Sequence, residues 1–506
     1  MQAILHRIKR SPHPTRLPAR LAALLVIVAA LTLFPPGHAS AGGPQLLVGA
    51  AEDSPKQPTL AAAKAEVTLL RLAGLDALRM TVEWEPGEKE LPKDESEALG
   101  NAIEAAQMSS IRVFLAVFPR GSSVTPLTDA ARAEFTQFAA SVASEFPSVQ
   151  DFIIGNEPNT NRYWLPQFAA DGSDAAAPAF LQLLAPTYDA LKTVSPEIRV
   201  WGLGLSPRGN DKPNGIRKTH SPTAFIRDLG QAYRASGRTL PIMDGLAIHP
   251  YAESSSIAPP DSAHPLTTSI GLADYGKLVG LLGQAFDGTA QPGTSLPILY
   301  AEYGVETQIP ASKASLYTGT EIAATKPVSE QTQALYYKQA MALAFCQPNV
   351  QGLFIFHTRD EEAMARWQSG LYYVDGKPKA SRDLVRNATE LVHRGVITSC
   401  AGLELRPKLT GFQFLGVKPP FTSLPTLLRL RCDLDCKFVL RVQRLPQGSS
   451  TLGTRGSAVG GTWQQVSLPS RTLAPGRYRI YLVLWAPLNT GPVRPVVATR
   501  FTIVRH

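Results

Sequence analysis

Between residues 45 and 395 the chain repeats one pattern: a short apolar run, a loop, then a longer stretch of helical periodicity. The apolar runs fall at 46–49, 78–82, 112–117, 151–154, 198–203, 245–249, 298–301 and 352–356. Helix-period segments between them include 59–73, 95–108, 129–145, 180–194, 222–236 and 330–346. A strand that is apolar on both faces has to be covered on both, and a parallel sheet flanked by helices does this. Eight such units predict closure into an α/β (β/α)8 TIM barrel over 42–401 rather than an open, doubly wound sheet. No Gly-x-Gly-x-x-Gly or Gly-x-x-x-x-Gly-Lys loop follows any of the runs, so dinucleotide and nucleotide binding lose their sequence support.

After Gly402 the texture changes. The runs 427–430, 438–443, 463–468, 478–484 and 496–504 are short, rich in β-formers and separated by Pro/Gly turns such as Ala474-Pro475-Gly476. They predict a small all-β sandwich as an accessory domain over 402–506. Charge divides at the same place. From Gly402 onward fifteen Lys and Arg face three acids, whereas residues 42–401 hold thirty basic and thirty-eight acidic side chains. The net charge of +9 therefore hides an acidic barrel and a basic second domain.

The first 41 residues read as a signal peptide. Arg7, Lys9, Arg10, Arg16 and Arg20 precede an apolar run over 21–34, and Ala39-Ser40-Ala41 follows. That order is the secretory pattern, with cleavage expected after Ala41 and a secreted, extracellular mature protein. The apolar run falls short of the roughly 20 residues that span a bilayer, and an uncleaved membrane anchor is the minor alternative. Four cysteines suit an oxidising compartment. Cys432 and Cys436 are close enough to staple a turn, and Cys346 and Cys400 fall after two helical patterns where they could pair.

In a barrel of this kind function sits on the loops at the carboxyl ends of the strands. The fourth strand runs into Gly155-Asn156-Glu157-Pro158-Asn159 and the seventh into Tyr300-Ala301-Glu302-Tyr303-Gly304. Two carboxylates at one mouth suit acetal hydrolysis, which needs one carboxyl protonated for the leaving oxygen and one ionised at the anomeric carbon. Arg79, inside the second strand, and Tyr251, in His249-Pro250-Tyr251, are expected to hold Glu302 ionised. Asn156 carries the amide to bind a sugar hydroxyl. Trp84, Phe118, Tyr163 and Trp164 are expected on loops at the mouth, where aromatic faces can stack on sugars, while Trp367 is read as packing. No His/Asp/Glu/Cys cluster has metal-ligand spacing and no Gly-x-Ser-x-Gly elbow occurs, so neither a metal nor another cofactor is expected.

The set Asn156-Glu157-Pro158, His249-x-Tyr251 and Glu302-Tyr303-Gly304, with Arg79 on the second strand, resembles glycoside hydrolase clan A, the retaining barrel glycosidases that include families 5 and 39. The resemblance covers roughly residues 45–395, and 370–379 is also similar to the segment after the last strand in those enzymes. It implies double displacement on a carbohydrate substrate, with Glu157 as acid/base, Glu302 as nucleophile, and Arg79, Asn156, His249 and Tyr251 lining the −1 subsite. Many clan members place a Trp at the end of strand eight. Here the chain reads Phe354-Ile355-Phe356-His357, so Phe356 or His357 is expected in its stead. A transglycosylase would use the same residues, and a non-catalytic glycan-binding surface protein is the reading from another class. The basic C-terminal domain is expected to contact an anionic cell envelope or an acidic polysaccharide. Nucleic acid is not an expected partner. The sugar, the linkage, endo or exo action and the oligomeric state stay open.

Overall fold

The computed structural model describes residues 42–397, 400, 407, 409–432, 436–446, 448, 450–458, 462–485 and 495–504. The expected signal peptide, and most of the stretch around the expected 401/402 boundary, lie outside them. Among the described residues no helix is long and apolar enough to cross a membrane.

Eight strands, β1 (Leu47–Ala51), β2 (Ala77–Trp84), β3 (Arg112–Pro119), β4 (Asp151–Ile154), β5 (Arg199–Leu205), β6 (Gly245–Ile248), β7 (Ile298–Tyr303) and β8 (Val350–Ile355), form a closed barrel in sequence order. Every neighbouring pair is parallel, and β8 returns to β1 with Gly352 opposite Leu47. Each strand is followed by a helix: α1 (Leu60–Leu72), α2 (Lys93–Met108), α3 (Asp129–Glu145), α4 (Ala176–Val194), α5 (Pro222–Ala235), α6 (Tyr275–Phe286), α7 (Glu330–Phe345) and α8 (Ser381–His393). Thr59, Thr128, Ser221 and Ser329 begin four of these helices, each hydroxyl accepting a first-turn N–H. Helix α6 escaped the periodicity reading because Gly276, Gly280 and Gly283 interrupt it, each costing about 1 kcal/mol of helix propensity.

Side chains alternate along each strand. On β2, Leu78, Met80, Val82 and Trp84 face the helices, while Ala77 joins Phe114, Ile153, Trp201, Leu299 and Phe354 in the barrel interior. Three irregularities break the alternation: on β5 between Leu203 and Leu205, on β8 between Val350 and Gly352, and on β7 between Tyr300 and Tyr303.

Beyond the barrel two antiparallel sheets share a separate core. One has the order β13 (Gln464–Ser467), β10 (Leu427–Cys432), β9 (Leu409–Phe414). The other has the order β12 (Ser450–Ala458), β11 (Cys436–Arg444), β14 (Gly476–Trp485), β15 (Pro495–Ile503). Leu428, Leu430, Phe438, Leu440, Ile480 and Leu482 fill the space between them. Strands β9 and β12 were not anticipated: β12 reads Ser-Thr-Leu-Gly-Thr-Arg-Gly-Ser-Ala, poor in β-formers, and is held by its ladder to β11. Cys346 pairs with Cys400 and Cys432 with Cys436.

Candidate active site

The turn after β4 presents Glu157. Gly155 and Glu157 both have positive φ, 105° and 44°, and the Glu157 N–H donates to the Gly204 carbonyl at 2.7 Å. Gly204, in the irregular stretch of β5, also has positive φ. A Cβ at Gly155 would stand 2.7 Å from the Phe180 ring, and one at Gly204 would stand 2.9 Å from the Gly155 carbonyl oxygen. Two glycines therefore let the turn nest in the β5 irregularity, and that nesting holds a glutamate in a conformation that L-residues avoid.

The β7 irregularity presents Glu302. Leu299 and Ala301 face the barrel interior, and Ile298 and Tyr300 the helices, so strict alternation would send Glu302 outward. The extra residue opposite β8 turns it inward instead.

Arg79 reaches this carboxylate from the interior of β2. Its Nη1 lies 2.9 Å from Glu302 Oε1, and its Nη2 donates to Asn156 Oδ1 at 3.2 Å. The Tyr251 hydroxyl donates to the other oxygen, Oε2, at 3.0 Å. His249 is fully buried, and its Nδ1 stands 3.2 Å from Glu157 Oε1 and 3.5 Å from Glu302 Oε2. One ring nitrogen thus bridges the two acids, and the sum of the two distances is an upper limit on the separation of those oxygens. It sits at the bottom of the ~6.5–9.5 Å spacing of inverting pairs and leaves room for the ~5–5.5 Å of retaining ones.

Burial alone would raise the Glu302 pKa. The charges of His249 and Arg79, the Tyr251 hydroxyl and the charge of His357 outweigh it, and the carboxyl lies below its ordinary value. Tyr251 itself is pushed well up by burial and by the charge of Glu302. Deeper in the β7 loop, burial raises Glu306 to about 7.

A cleft of about 620 Å³ opens over these groups, within the usual range for a small-molecule site. Arg79, Asn156, Glu157, Tyr251, Glu302 and His357 line it; His249 lies beneath. His357 Nδ1 donates to the Ala51 carbonyl at 2.7 Å. Phe118 and Tyr163 meet edge to face at 6.1 Å on one wall.

Two aromatic expectations need correction, and a third residue both packs as expected and lines the cleft. Trp84 is no mouth residue: it is buried on the helix side of β2, edge to face with Phe135 at 5.7 Å, its indole N–H donating to the Glu88 carbonyl. Trp164 is buried against Phe180 at 5.2 Å and does not line the cleft. Trp367, read as packing, does line it, 4.8 Å from the Tyr251 ring and tilted 31° to it, with its edge on Phe356 at 5.4 Å. The loop carrying Trp367 is anchored by a fully buried Lys379–Asp360 pair at 2.8 Å, with Lys379 also donating to the Gln368 carbonyl. Glu306 and Arg208 are cleft residues that the sequence reading did not single out. Among the described residues no cluster of His, Cys, Asp or Glu is placed to hold a metal ion.

No protein-family model and no curated protein matches the chain. Solved structures do. A family 39 glycoside hydrolase from Bacteroides cellulosilyticus WH2 is 16% identical at a TM-score of 0.49, over 84% of this chain and 82% of that one. A β-glycosidase from Pyrococcus horikoshii is 13% identical at 0.44, over 72% and 95%. An endo-β-1,4-mannanase from Thermotoga petrophila is 11% identical at 0.41, over 93% and 99%. The likeness to these glycoside hydrolases is one of fold, and this chain's own fold is a closed barrel of eight parallel strands.

Proposed function

We propose that the protein is an exported, retaining glycoside hydrolase of clan A, acting on a carbohydrate acetal with Glu302 as nucleophile and Glu157 as acid/base. The observation that carries this reading is the unequal treatment of two acids joined through His249. Glu302 has a guanidinium on one oxygen and a phenol on the other, which favours its ionised form. Glu157 has only His249 as an ion-pair partner among the described residues. The ionised group attacks the anomeric carbon while the Glu157 carboxyl gives its proton to the departing oxygen. In the second half Glu157 takes a proton from water, which displaces Glu302 from the sugar. Asn156, pinned by Arg79, offers its amide N–H to a sugar hydroxyl, a contact that strengthens as the ring flattens. The leader pattern over 1–41 supports the exported location.

The test uses activated aryl glycosides of several sugars. With Glu157→Ala the glycosyl-enzyme should form but persist, and azide should restore turnover, because a good leaving group needs no acid. Glu302→Ala should lose activity, and azide should give at most a product of opposite anomeric configuration. Wild type that binds glycans yet cleaves neither the aryl panel nor polymers would be a binding protein on a glycosidase barrel, and the proposal would fall.

A further inference from the structure

The four-stranded sheet of the C-terminal domain has one face in the core and one outside. On β11 the buried residues are Cys436, Phe438, Leu440 and Val442, so Lys437, Val439, Arg441 and Gln443 point out. On β14 the buried residues are Tyr478, Ile480, Leu482 and Leu484, so Arg477, Arg479, Tyr481, Val483 and Trp485 point out. Register then sets the outer face. Lys437 is opposite Trp485, Arg441 opposite Tyr481 and Gln443 opposite Arg479. Arg479 is opposite Arg500 on β15, and Val439 is opposite Arg455 on β12.

Six cations therefore share one face with two aromatic rings between them. Lys437, Arg441, Arg455, Arg477 and Arg500 are exposed, and Arg479 is half-buried. Residues two apart on a strand are roughly 7 Å from each other and adjacent strands about 4.8 Å, so neighbours such as Arg477 and Arg479, or Arg479 and Arg500, lie within about a Debye length of each other at physiological salt, and the row of charge runs on along the sheet. Like charges directly opposite on a ladder destabilise it, and Arg479 faces Arg500. Within the sheet Arg479 is answered by a neutral group, donating from Nε and Nη2 to Gln443 Oε1 with its guanidinium 5.7 Å from the Tyr481 ring. No carboxylate stands among the described residues of the domain; Glu404, Asp433 and Asp435 lie outside them.

We propose that this face binds an acidic polysaccharide. Its carboxylate or sulfate groups take the guanidinium N–H forks, for which arginine is suited by its planar donor geometry, and the Tyr481 and Trp485 rings stack on sugar faces between the charges. A polyanion lying across β11, β14 and β15 relieves repulsion that the free domain carries. The choice of a glycan over other polyanions rests on the glycosidase reading of the barrel.

The experiment is affinity electrophoresis of the full mature protein through gels holding polygalacturonate, dextran sulfate, neutral galactan or poly(U), with flotation on phosphatidylserine vesicles alongside. Wild type should be retarded by polygalacturonate or dextran sulfate and not by galactan, and the retardation should vanish in about 1 M salt, where the Debye length is about 3 Å. Lys437→Gln/Arg441→Gln/Arg500→Gln should weaken binding at least tenfold with an unchanged melting curve. Arg441→Gln alone should weaken it about threefold, which covers the case of a misfolded triple variant. Arg429→Gln/Arg431→Gln removes the two arginines that lie over Trp463 on the other sheet and should leave binding within twofold. Three results overturn the proposal: no retardation by either acidic polymer, equal loss in both multiple variants, or tighter binding to poly(U) or vesicles than to both acidic glycans. Aryl glycoside cleavage, measured on the same variants, reports on the barrel separately, so its failure and that of the sheet face are distinguishable.

Discussion

At the scale of single residues, the site is organised around keeping Glu302 charged. Its folded pKa is depressed, so the stability it contributes is present above the ordinary glutamate value of about 4.3 and is lost as pH falls through the folded pKa. The same depression places the acid limb of kcat/KM below that value. Tyr251→Phe removes one of the groups that favour the anion, and its acid limb should move to higher pH while the barrel stays folded. An unmoved limb in a pH profile on an aryl glycoside would show that the Tyr251 bond does not set the ionisation of Glu302. The tryptophans separate on a different axis. Trp84→Ala opens a cavity in the core and should cost about 3–5 kcal/mol of stability. Trp367→Ala takes a half-buried ring off Tyr251 and should cost little stability but raise KM several-fold. Denaturant melts and kinetics on the two variants would reverse this assignment if the KM effect fell on Trp84.

At the scale of elements, both acids depend on departures from regular strand geometry. Glu157 needs the glycine turn that nests against β5, and Glu302 needs the extra residue in β7. Gly155→Ala puts a methyl into the Phe180 ring at positive φ. We expect a loss of at least about 2 kcal/mol from strain and overpacking together, and a fall in kcat of more than tenfold from a misplaced Glu157. Full activity with unchanged stability would mean that the turn tolerates a side chain there. The loop bearing Trp367 belongs at this scale too, since the buried Lys379–Asp360 pair and the Gln368 carbonyl hold it over the cleft.

At the scale of the whole molecule, the barrel and the sandwich have separate hydrophobic cores and opposite net charge, acidic for the barrel and basic for the sandwich. The Cys346–Cys400 bridge closes a loop of 54 residues that includes β8 and α8. Constraining the unfolded chain over such a loop is worth about 2–4 kcal/mol, so Cys346→Ala/Cys400→Ala should unfold at lower denaturant by that amount. An equal midpoint for variant and wild type would show that the native packing already supplies the constraint. The acidic barrel and the basic sheet face would also respond to salt in opposite contexts, catalysis little and polymer binding strongly.

Much of this was legible from local pattern. Strand alternation and helix period are properties of neighbouring residues, so the eight strands, six of the eight helices, the closed barrel and the later antiparallel sheets could be read directly. The carboxyl ends of β4 and β7 followed from strand order, and with them Glu157 and Glu302. Even the misplacement of Trp84 was correctable by counting: it lies five residues after Arg79, an odd step, so an inward Arg79 requires an outward Trp84. Trp164 and Trp367 were different, because loops obey no period and their reach depends on what anchors them, here Phe180 for one and Tyr251 for the other. Glu302 shows the limit most sharply. Counting from Leu299 and Ala301 sends it to the helix side, and only the register of β7 against β8 turns it inward. That register is set by pairing between segments some fifty residues apart, and by closure of the whole barrel, so no local rule contains it.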